Sequence, residues 1–177
     1  MVQVRQYPRV IVEGMDGAGK TFLARQLADQ FDLQYVRNEK GPREDIGWWW
    51  MDQLHWFPGD PIPLNDRFFY PELVYGPVLR GNIVATFATV EYVSNFLRSY
   101  AFLIYCRPPI PVIQKGVEVE DQMDGVKDNF KTLLGTYDKL MIKEFDHYPK
   151  ERCFKYDWTQ PIQLQNLIGR VEEYLHG

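Results

Sequence analysis

Residues 14–21 restrict the fold of this chain more than any other feature of its sequence. They read Gly-Met-Asp-Gly-Ala-Gly-Lys-Thr and match the pattern G-x-x-x-x-G-K-[ST]. In such a loop the backbone N–H groups converge on phosphate oxygens, which requires a strand before the loop and a helix after it. The β-branched run Arg9–Glu13 precedes it, and apolar residues at helical spacing follow it: Phe22, Leu23, Leu27, Ala28 and Phe31. The sequence therefore predicts a strand–loop–helix unit that binds a nucleoside triphosphate.

The residue types within the loop suit this chemistry. Lys20 adds a positive charge near the β- and γ-phosphates, and the Thr21 hydroxyl can ligate Mg²⁺. ATP and Mg²⁺ are thus the expected substrate and cofactor. The predicted ATP phosphate-binding residues are Gly14, Met15, Asp16, Gly17, Ala18, Gly19, Lys20 and Thr21.

The composition is that of an ordinary globular domain and excludes few partners. The 177 residues are 45% hydrophobic and 25% charged, which predicts one domain with a real core, residues 1–177. A net charge of −4 argues weakly against a large duplex-DNA surface, so nucleic acid is an unexpected partner that stays open. We expect no membrane span and, with two cysteines and no apolar leader, a cytoplasmic location in a bacterium or phage-infected host. Cys106 and Cys153 are predicted to be buried core residues.

Strand-like and helix-like segments alternate along the chain. This predicts an α/β fold, a P-loop NTPase with three αβα layers around a five-stranded parallel sheet. The predicted strands are 9–13, 33–37, 61–65, 101–106 and 152–156. The predicted helices are 19–31, 43–56, 70–79, 83–98, 119–146 and 161–175. Residues 114–128 are the least apolar and predict a mobile solvated flap, within a short lid over approximately 108–130.

Two further strand ends carry an arginine beside an acid. Arg37 and Glu39 follow the second strand, and Asp66 and Arg67 follow the third. The carboxyl ends of parallel strands meet at one edge of a sheet, where ligands of such folds bind. An arginine guanidinium can donate two hydrogen bonds to one phosphate, and a carboxylate can hold Mg²⁺ directly or through water.

These motifs resemble the thymidylate kinases and related phage or bacterial deoxynucleotide kinases of the P-loop class. Residues 13–21 look like their E-G-x-D-G-A-G-K-T loop, and residues 37–42 like a loose form of R-E-P-G-G. Residues 66–68 look like D-R-Y, and residues 75–81 are similar to a Tyr…Arg-Gly stretch. The resemblance covers about two-thirds of the chain in order.

The resemblance implies roles for individual residues. Asp16 would contact the 3′-hydroxyl of the acceptor sugar, and Tyr75 would pack on that sugar and disfavour a 2′-hydroxyl. Arg37 and Arg67 would hold the acceptor phosphate, with Asp66 near Mg²⁺. The implied catalytic residues are Lys20, Asp66, Arg67 and Arg37, and the metal ligands are Thr21 and Asp66. The implied acceptor-binding residues are Asp16, Arg37, Glu39, Arg67, Phe68, Phe69, Glu72, Tyr75 and Arg80.

The sequence departs from this family in two ways. The family supplies a transfer-stage arginine from its loop or lid, whereas this loop has none and no arginine lies between Arg107 and Arg152. Lys115 and Lys127 are the nearest substitutes, and a lysine ammonium binds phosphate less well than the bidentate arginine guanidinium. Glu72 stands where the family tends to carry Ser or Asn, which suggests an unusual acceptor or a partner for an arginine.

Several aromatic and acidic residues admit two interpretations. Trp48, Trp49 and Trp50 cannot share one helix face, so at least one should be exposed or contact the acceptor base or a second copy. One of Phe68, Phe69 and Tyr70 either lines the base pocket or belongs to the core. Asp157, after the last strand, lies either at the adenine or in a surface turn.

Three functions follow from these features. The first is ATP-dependent phosphoryl transfer to a deoxynucleoside monophosphate, which needs positioning and charge neutralisation and no base. The second is transfer to a hydroxyl of a nucleoside or a hydroxymethylated base, in DNA or free, with Glu39 or Asp66 as general base. The third is a non-enzymatic nucleotide-binding regulator. A homodimer through 43–56 or 83–98 is implied by family analogy.

Overall fold

A five-stranded parallel sheet lies at the centre of the protein. The computed structural model describes residues 8–37, 45–55 and 59–177. The strands run in the order β2-β3-β1-β4-β5. They are β1 (Arg9–Glu13), β2 (Gln34–Arg37), β3 (Pro63–Asp66), β4 (Ala101–Cys106) and β5 (Cys153–Tyr156). Every residue of β1, β3 and β4 is buried, which explains their largely apolar sequences.

Helices connect the strands and cover the sheet, which confirms the predicted αβα fold of a P-loop NTPase. Among the described residues they are α1 (Lys20–Phe31), α2 (Ile46–Gln53), α3 (Tyr70–Tyr75), α4 (Phe87–Tyr100), α5 (Ile110–Val119), α6 (Phe130–His147) and α7 (Pro161–His176). A π-helical segment, Gly76–Arg80, continues α3, and a short 3₁₀ turn, Lys150–Arg152, precedes β5.

The strand register brings the predicted site residues to one edge of the sheet. Asp66 at the end of β3 lies level with Val12 of β1 and with Arg37 of β2. Glu13, the last residue of β1, lies level with Tyr105 of β4. The phosphate loop, Arg37 and Asp66 therefore share the carboxyl edge of the sheet, as predicted from the strand order along the chain.

The prediction for residues 114–146 is wrong in its secondary structure. The predicted single helix over 119–146 begins only at Phe130, and the predicted flap overlaps helix α5. Ile113 and Val117 are buried on one face of α5. The helical pattern of α5 was missed because polar residues separate Ile113 from Val117. A short surface helix can bury a narrow apolar face of only about one residue per turn, which is a weak sequence pattern. The lid itself stays a prediction.

The remaining differences concern the ends of elements, since β2, β3 and β5 begin one or two residues after the predicted 33, 61 and 152, and α3 ends at Tyr75 within the predicted 70–79. Helix α2 covers Ile46–Gln53 within the predicted 43–56, and α4 begins at Phe87 rather than at residue 83. The Thr86 side chain accepts a hydrogen bond from the backbone N–H of Thr89 and so fixes the start of α4.

One buried ion pair ties three helices together. Glu144 of α6 accepts hydrogen bonds from Arg98 of α4, at 3.1 Å from Nε and 2.6 Å from the terminal nitrogen. Tyr70 of α3 donates to the same carboxylate at 3.3 Å.

Cys106 and Cys153 are buried free thiols, as predicted. No helix in the described ranges combines the length and the apolar character needed to cross a membrane.

Replacing Ile104 with alanine should test the central role of β4. Ile104 is fully buried between Val12 and Phe154, so its loss should lower the free energy of unfolding by about 2–5 kcal/mol. Ile142→Ala is the matched control, because Ile142 is 66% exposed on α6 and its loss should change stability by less than about 0.5 kcal/mol. Urea unfolding of both variants measures the difference. Equal losses would contradict the assigned core.

Candidate active site

The phosphate loop is enclosed by the backbone of a neighbouring helix. Gly17 adopts a φ of 76°, and a Cβ built there would lie 2.6 Å from the carbonyl oxygen of Ile113 in α5. Gly116 of α5 faces it, since a Cβ on Gly116 would lie 2.6 Å from the Gly17 Cα. Both positions therefore require glycine, and the loop packs directly against the backbone of α5.

Lys20, the first residue of α1, folds back across the loop. Its ammonium group donates to the carbonyl oxygen of Met15 at 2.6 Å, and the residue is buried. Burial, followed by the neighbouring Arg67 cation, lowers the Lys20 pKa to about 8, while Asp16 and Asp66 partly offset this. The structure thus places a buried cation in the loop, where phosphate oxygens would lie.

Thr21 and Asp66, the predicted metal ligands, contact each other directly. The Thr21 hydroxyl donates to the Asp66 carboxylate at 2.6 Å, and Tyr35 of β2 donates to the same oxygen at 2.8 Å. A hydroxyl and a carboxylate are hard oxygen donors that suit Mg²⁺, which usually takes only one or two protein ligands beside phosphates and water. No cluster of three His, Cys, Asp or Glu side chains suited to a metal occurs among the residues described.

Tyr35 is a site residue that the sequence analysis missed. Tyr35 lies on the edge strand β2, whose sequence pattern is that of an ordinary edge strand. No local pattern therefore marks Tyr35 as a site residue. Arg25 of α1 lies over the Tyr35 ring, 5.8 Å from its centroid. Burial and the hydrogen bond to Asp66 raise the Tyr35 pKa, so the hydroxyl remains a proton donor.

Asp16 and Arg67 form an ion pair between the loop and the end of β3. The Tyr75 hydroxyl donates to the other Asp16 oxygen at 2.8 Å, and the Arg67 guanidinium lies over the Tyr75 ring. Burial alone would raise the Asp16 pKa, but the Arg67 and Lys20 cations outweigh it and the pKa is lowered. The roles implied for these residues treated them as separate ligands, whereas the structure joins them into one unit.

Arg67 also occupies an unusual backbone conformation. Its φ is 69°, in the left-handed region that non-glycine residues seldom adopt. Two hydrogen bonds hold this turn: Arg67 N–H donates to Val12 at 3.0 Å, and Phe68 N–H donates to the buried Glu13 carboxylate at 2.7 Å. Burial raises the Glu13 pKa to about 7. A strained backbone conformation persists only where surrounding contacts hold it, and such conformations are common at functional sites.

A cavity of about 310 Å³ joins the loop to the predicted acceptor residues. Seven of those residues line it: Asp16, Arg37, Arg67, Phe68, Glu72, Tyr75 and Arg80. Glu39 lies outside the described residues. Phe69 does not line the cavity, and its ring is buried against Trp50 and Tyr70 because it points into the core. The cavity is also lined by Glu120, Gln122 and Met123 from the segment after α5, and by Phe22, Ile46 and Pro71, none of which was predicted.

Glu72 is the partner of an arginine, one of the two outcomes expected for it. The Arg80 guanidinium lies 2.6 Å from both Glu72 oxygens, and the Val84 N–H donates to the same carboxylate at 2.8 Å. The π-helical turn between these residues brings Arg80 back over α3. Wide turns of this kind occur frequently at functional sites.

Four cations line the described cavity: Lys20, Arg37, Arg67 and Arg80. Lys115 and Lys127, the proposed substitutes for the missing arginine, are not among its lining residues.

The three consecutive tryptophans differ in exposure. Trp48 is 81% exposed, the Trp49 ring packs against the Phe68 ring with centroids 6.0 Å apart, and Trp50 is buried. The three therefore face different directions, as predicted.

The fold is that of the P-loop kinases. No protein-family model matches the chain, and no curated protein matches its sequence. The YorR protein of Bacillus subtilis, solved in complex with phosphorylated GDP, superposes with a TM-score of 0.72 at 18% identity, over 95% of this chain and 98% of that one. Deoxyadenosine kinase from M. mycoides with bound dATP gives 0.63 at 10% identity, over 94% and 100%. The same kinase with dCMP and a flexible dCDP gives 0.61 at 12% identity, over 93% and 98%.

Replacing Tyr35 with phenylalanine should weaken metal binding. One of the two hydrogen bonds on the Asp66 oxygen is lost, and loss of such a support typically costs about tenfold in metal affinity. Mn²⁺ titration in the presence of ADP, followed by electron paramagnetic resonance, measures this. Tyr92→Phe, at a half-exposed tyrosine of α4, is the control. Unchanged Mn²⁺ affinity in Tyr35→Phe would show that Tyr35 does not position Asp66.

Nucleotide affinity should fall as the pH rises through about 8. Lys20 is protonated below its pKa of about 8 and neutral above it, and only the cation attracts phosphate. The Kd for ADP should therefore be flat from pH 6.5 to 7.5 and increase from pH 8 to 9.5. Isothermal titration calorimetry at each pH measures it. Lys20→Met should bind weakly with no step in this range, and an identical step in that variant would assign the titration to another group.

Proposed function

We propose that this protein transfers the γ-phosphoryl group of ATP to the phosphate of a deoxynucleoside monophosphate, giving ADP and the diphosphate. The observation that carries the proposal is the cavity that opens directly from the phosphate loop. Its wall contains four cations, of which Arg67 and Arg80 are paired with Asp16 and Glu72, and the Tyr75 hydroxyl that donates to Asp16. Two phosphate-bearing substrates bring several negative charges together, and Lys20 and Arg37 would compensate them beside these pairs.

The donor triphosphate would bind along the loop. Backbone N–H groups at the start of α1 and the Lys20 ammonium face its β- and γ-phosphates. Thr21 and Asp66 would hold Mg²⁺, which would neutralise the charge that develops on the phosphates. Tyr35 fixes the orientation of the Asp66 carboxylate through its hydrogen bond.

The acceptor would occupy the far part of the cavity. Asp16 accepts from Tyr75 and Arg67 and still offers lone pairs to a sugar 3′-hydroxyl. Burial raises the Tyr75 pKa, so its hydroxyl stays protonated and its ring remains a neutral wall beside the sugar. Arg37, exposed at the end of β2 and lining the cavity, would bind the acceptor phosphate.

The structural neighbours support a nucleotide or nucleoside kinase. One of them holds phosphorylated GDP, and another was solved with dATP and with dCMP and dCDP. They share the fold across nearly the whole chain, and their ligands are nucleotides. The proposed acceptor class follows from this likeness together with the cavity residues.

One observation favours a second candidate, transfer to a nucleoside hydroxyl. Arg67 and Arg80 are already paired with carboxylates, Asp16 and Glu72, which leaves less free positive charge for an acceptor phosphate. A hydroxyl acceptor needs a general base. Among the described residues, Asp66 lies beside the loop and could serve as this base. One of its oxygens already accepts hydrogen bonds from Thr21 and Tyr35.

A substrate panel separates these functions. Coupled ADP-release assays with ATP and Mg²⁺ should show turnover with at least one of the four deoxynucleoside monophosphates. Turnover only with deoxynucleosides, or only with DNA that carries hydroxymethylated bases, would favour the hydroxyl acceptor. Nucleotide binding without turnover on any acceptor would favour a regulator.

Two variants test the assigned roles. Lys20→Ala should abolish transfer, because the loop loses its buried cation. Arg37→Ala should raise the acceptor KM by about tenfold or more with a smaller change in the ATP KM, because it loses a charged hydrogen bond to the acceptor alone. Arg170→Ala, on α7 and outside the cavity, is the matched control. An unchanged acceptor KM in Arg37→Ala would refute the role given to Arg37.

A further inference from the structure

The outer face of helix α4 carries unusually little charge. Its exposed residues recur at helical spacing: Phe87, Ala88, Glu91, Tyr92, Asn95 and Ser99. Phe87 is 81% exposed and Tyr92 is 52% exposed. Glu91 is the single charge of this face, because the other charged residue of α4, Arg98, pairs with Glu144. A helix normally turns charged residues toward solvent, whereas aromatic residues and few charges are typical of a protein interface.

A groove of about 450 Å³ lies between α2 and the start of α4. The exposed Trp48 and Met51 of α2 line it, together with Ala88 and Tyr92 of α4. The two helices approach closely there, since a Cβ on Gly47 would lie 3.3 Å from the Thr89 methyl group. The groove is therefore open, largely apolar and directly beside the projecting Phe87 ring.

This surface is distinct from the nucleotide site. Among the described residues, Ile46 alone lines both the groove and the acceptor cavity. Trp48 lines the groove and not the cavity, so its position favours contact with a second copy over contact with an acceptor base. An inference about this surface therefore does not rest on the proposed function.

The exposed apolar area is what a stable dimer needs. An aromatic side chain buries about 150–250 Å², so the exposed fractions of Trp48, Phe87 and Tyr92 together offer on the order of 400 Å². Each partner of a standard interface contributes about 800 Å², of which about 65% is apolar in homodimers. The exposed Ile83 and Val84 beside these rings supply much of the difference.

The arrangement of the surface favours a second copy of this chain as the partner. A projecting ring, Phe87, and a groove that can receive a ring lie side by side on it. A two-fold axis satisfies both features at once, because each copy then inserts its ring into the groove of the other. Ala88, next to Phe87, has a side chain small enough for two α4 helices to approach closely at that axis.

We propose that this protein forms a homodimer whose two-fold axis passes near Ala88, with Phe87 of each copy in the groove of the other. The two α4 helices cross antiparallel at this point. Phe87, Trp48 and Tyr92 lie at the centre of the interface, where aromatic residues contribute most of the binding free energy. Asn95 and Ser99 lie farther along α4 and toward the edge of the contact.

Sedimentation velocity from about 1 to 200 µM protein should show a monomer–dimer equilibrium. Phe87→Glu should raise the dimer Kd by about a hundredfold or more, because one substitution removes two buried rings from each dimer and places two charges in apolar grooves. Ile142→Glu, at an exposed isoleucine of α6, is the matched control and should dimerise like the unsubstituted protein. Both positions are exposed, so both variants should fold, which circular dichroism verifies.

Cysteine cross-linking locates the axis without disturbing the aromatic residues. Ala88→Cys should form a disulfide between two copies on mild oxidation, because residues beside a two-fold axis face their own counterparts. Asn95→Cys should not, since seven residues along antiparallel helices separate the two copies of residue 95 by roughly 20 Å, far beyond the reach of a disulfide. Cys106 and Cys153 are buried and do not compete. Non-reducing electrophoresis measures the linked fraction.

Three results would overturn the proposal. A chain that stays monomeric at about 200 µM would assign the α4 face to a different protein. A dimer that withstands Phe87→Glu would lie on another surface. A disulfide through Asn95→Cys and not through Ala88→Cys would move the two-fold axis away from the groove. These measurements contain no nucleotide, so failure of phosphoryl transfer would count against the proposed function alone.

Discussion

The ion pair between Asp16 and Arg67 is the contact on which the geometry of the site depends. It joins the tip of the phosphate loop to the end of β3, two segments far apart in sequence. Arg67 reaches Asp16 from a left-handed backbone conformation that Val12 and the buried Glu13 hold in place. Each charge is expensive to bury alone, so both stay tolerable only as a pair. The pair thereby ties the phosphate loop to the cavity wall at the end of β3.

The rest of the site is built outward from this pair by shared hydrogen bonds. Tyr75 reaches Asp16 from α3, while Tyr35 reaches Asp66 from β2. Both tyrosines are donors whose rings are flanked by arginines, Arg67 and Arg25 respectively. Rigid donors of this kind lower the cost of ordering carboxylates when substrates bind, because the side chains are already in position.

Sequence reasoning found the parts of this site that depend on local patterns. The loop, the five parallel strands, Arg37 and the Asp66–Arg67 strand end follow from motif and periodicity, and the structure brings the loop and these residues to one edge of the sheet. It missed Tyr35 and helix α5, because an isolated aromatic residue or a polar helix with a narrow apolar face leaves no distinctive local pattern. The pairings of Asp16 with Arg67 and Glu72 with Arg80 needed three-dimensional distances. Whether these residues serve in catalysis stays a prediction.

The facing glycines of the loop and α5 bear on how relatives of this protein can be recognised. Gly17 and Gly116 each occupy space that a side chain on the other would need. The constraint is mutual and steric, so neither position accepts a side chain while the loop and α5 stay in contact. A glycine paired with the phosphate loop, in the second half of the helix after the fourth strand, is thus a marker for distant sequences that share this arrangement. It would separate them from P-loop proteins whose loops stand open to solvent.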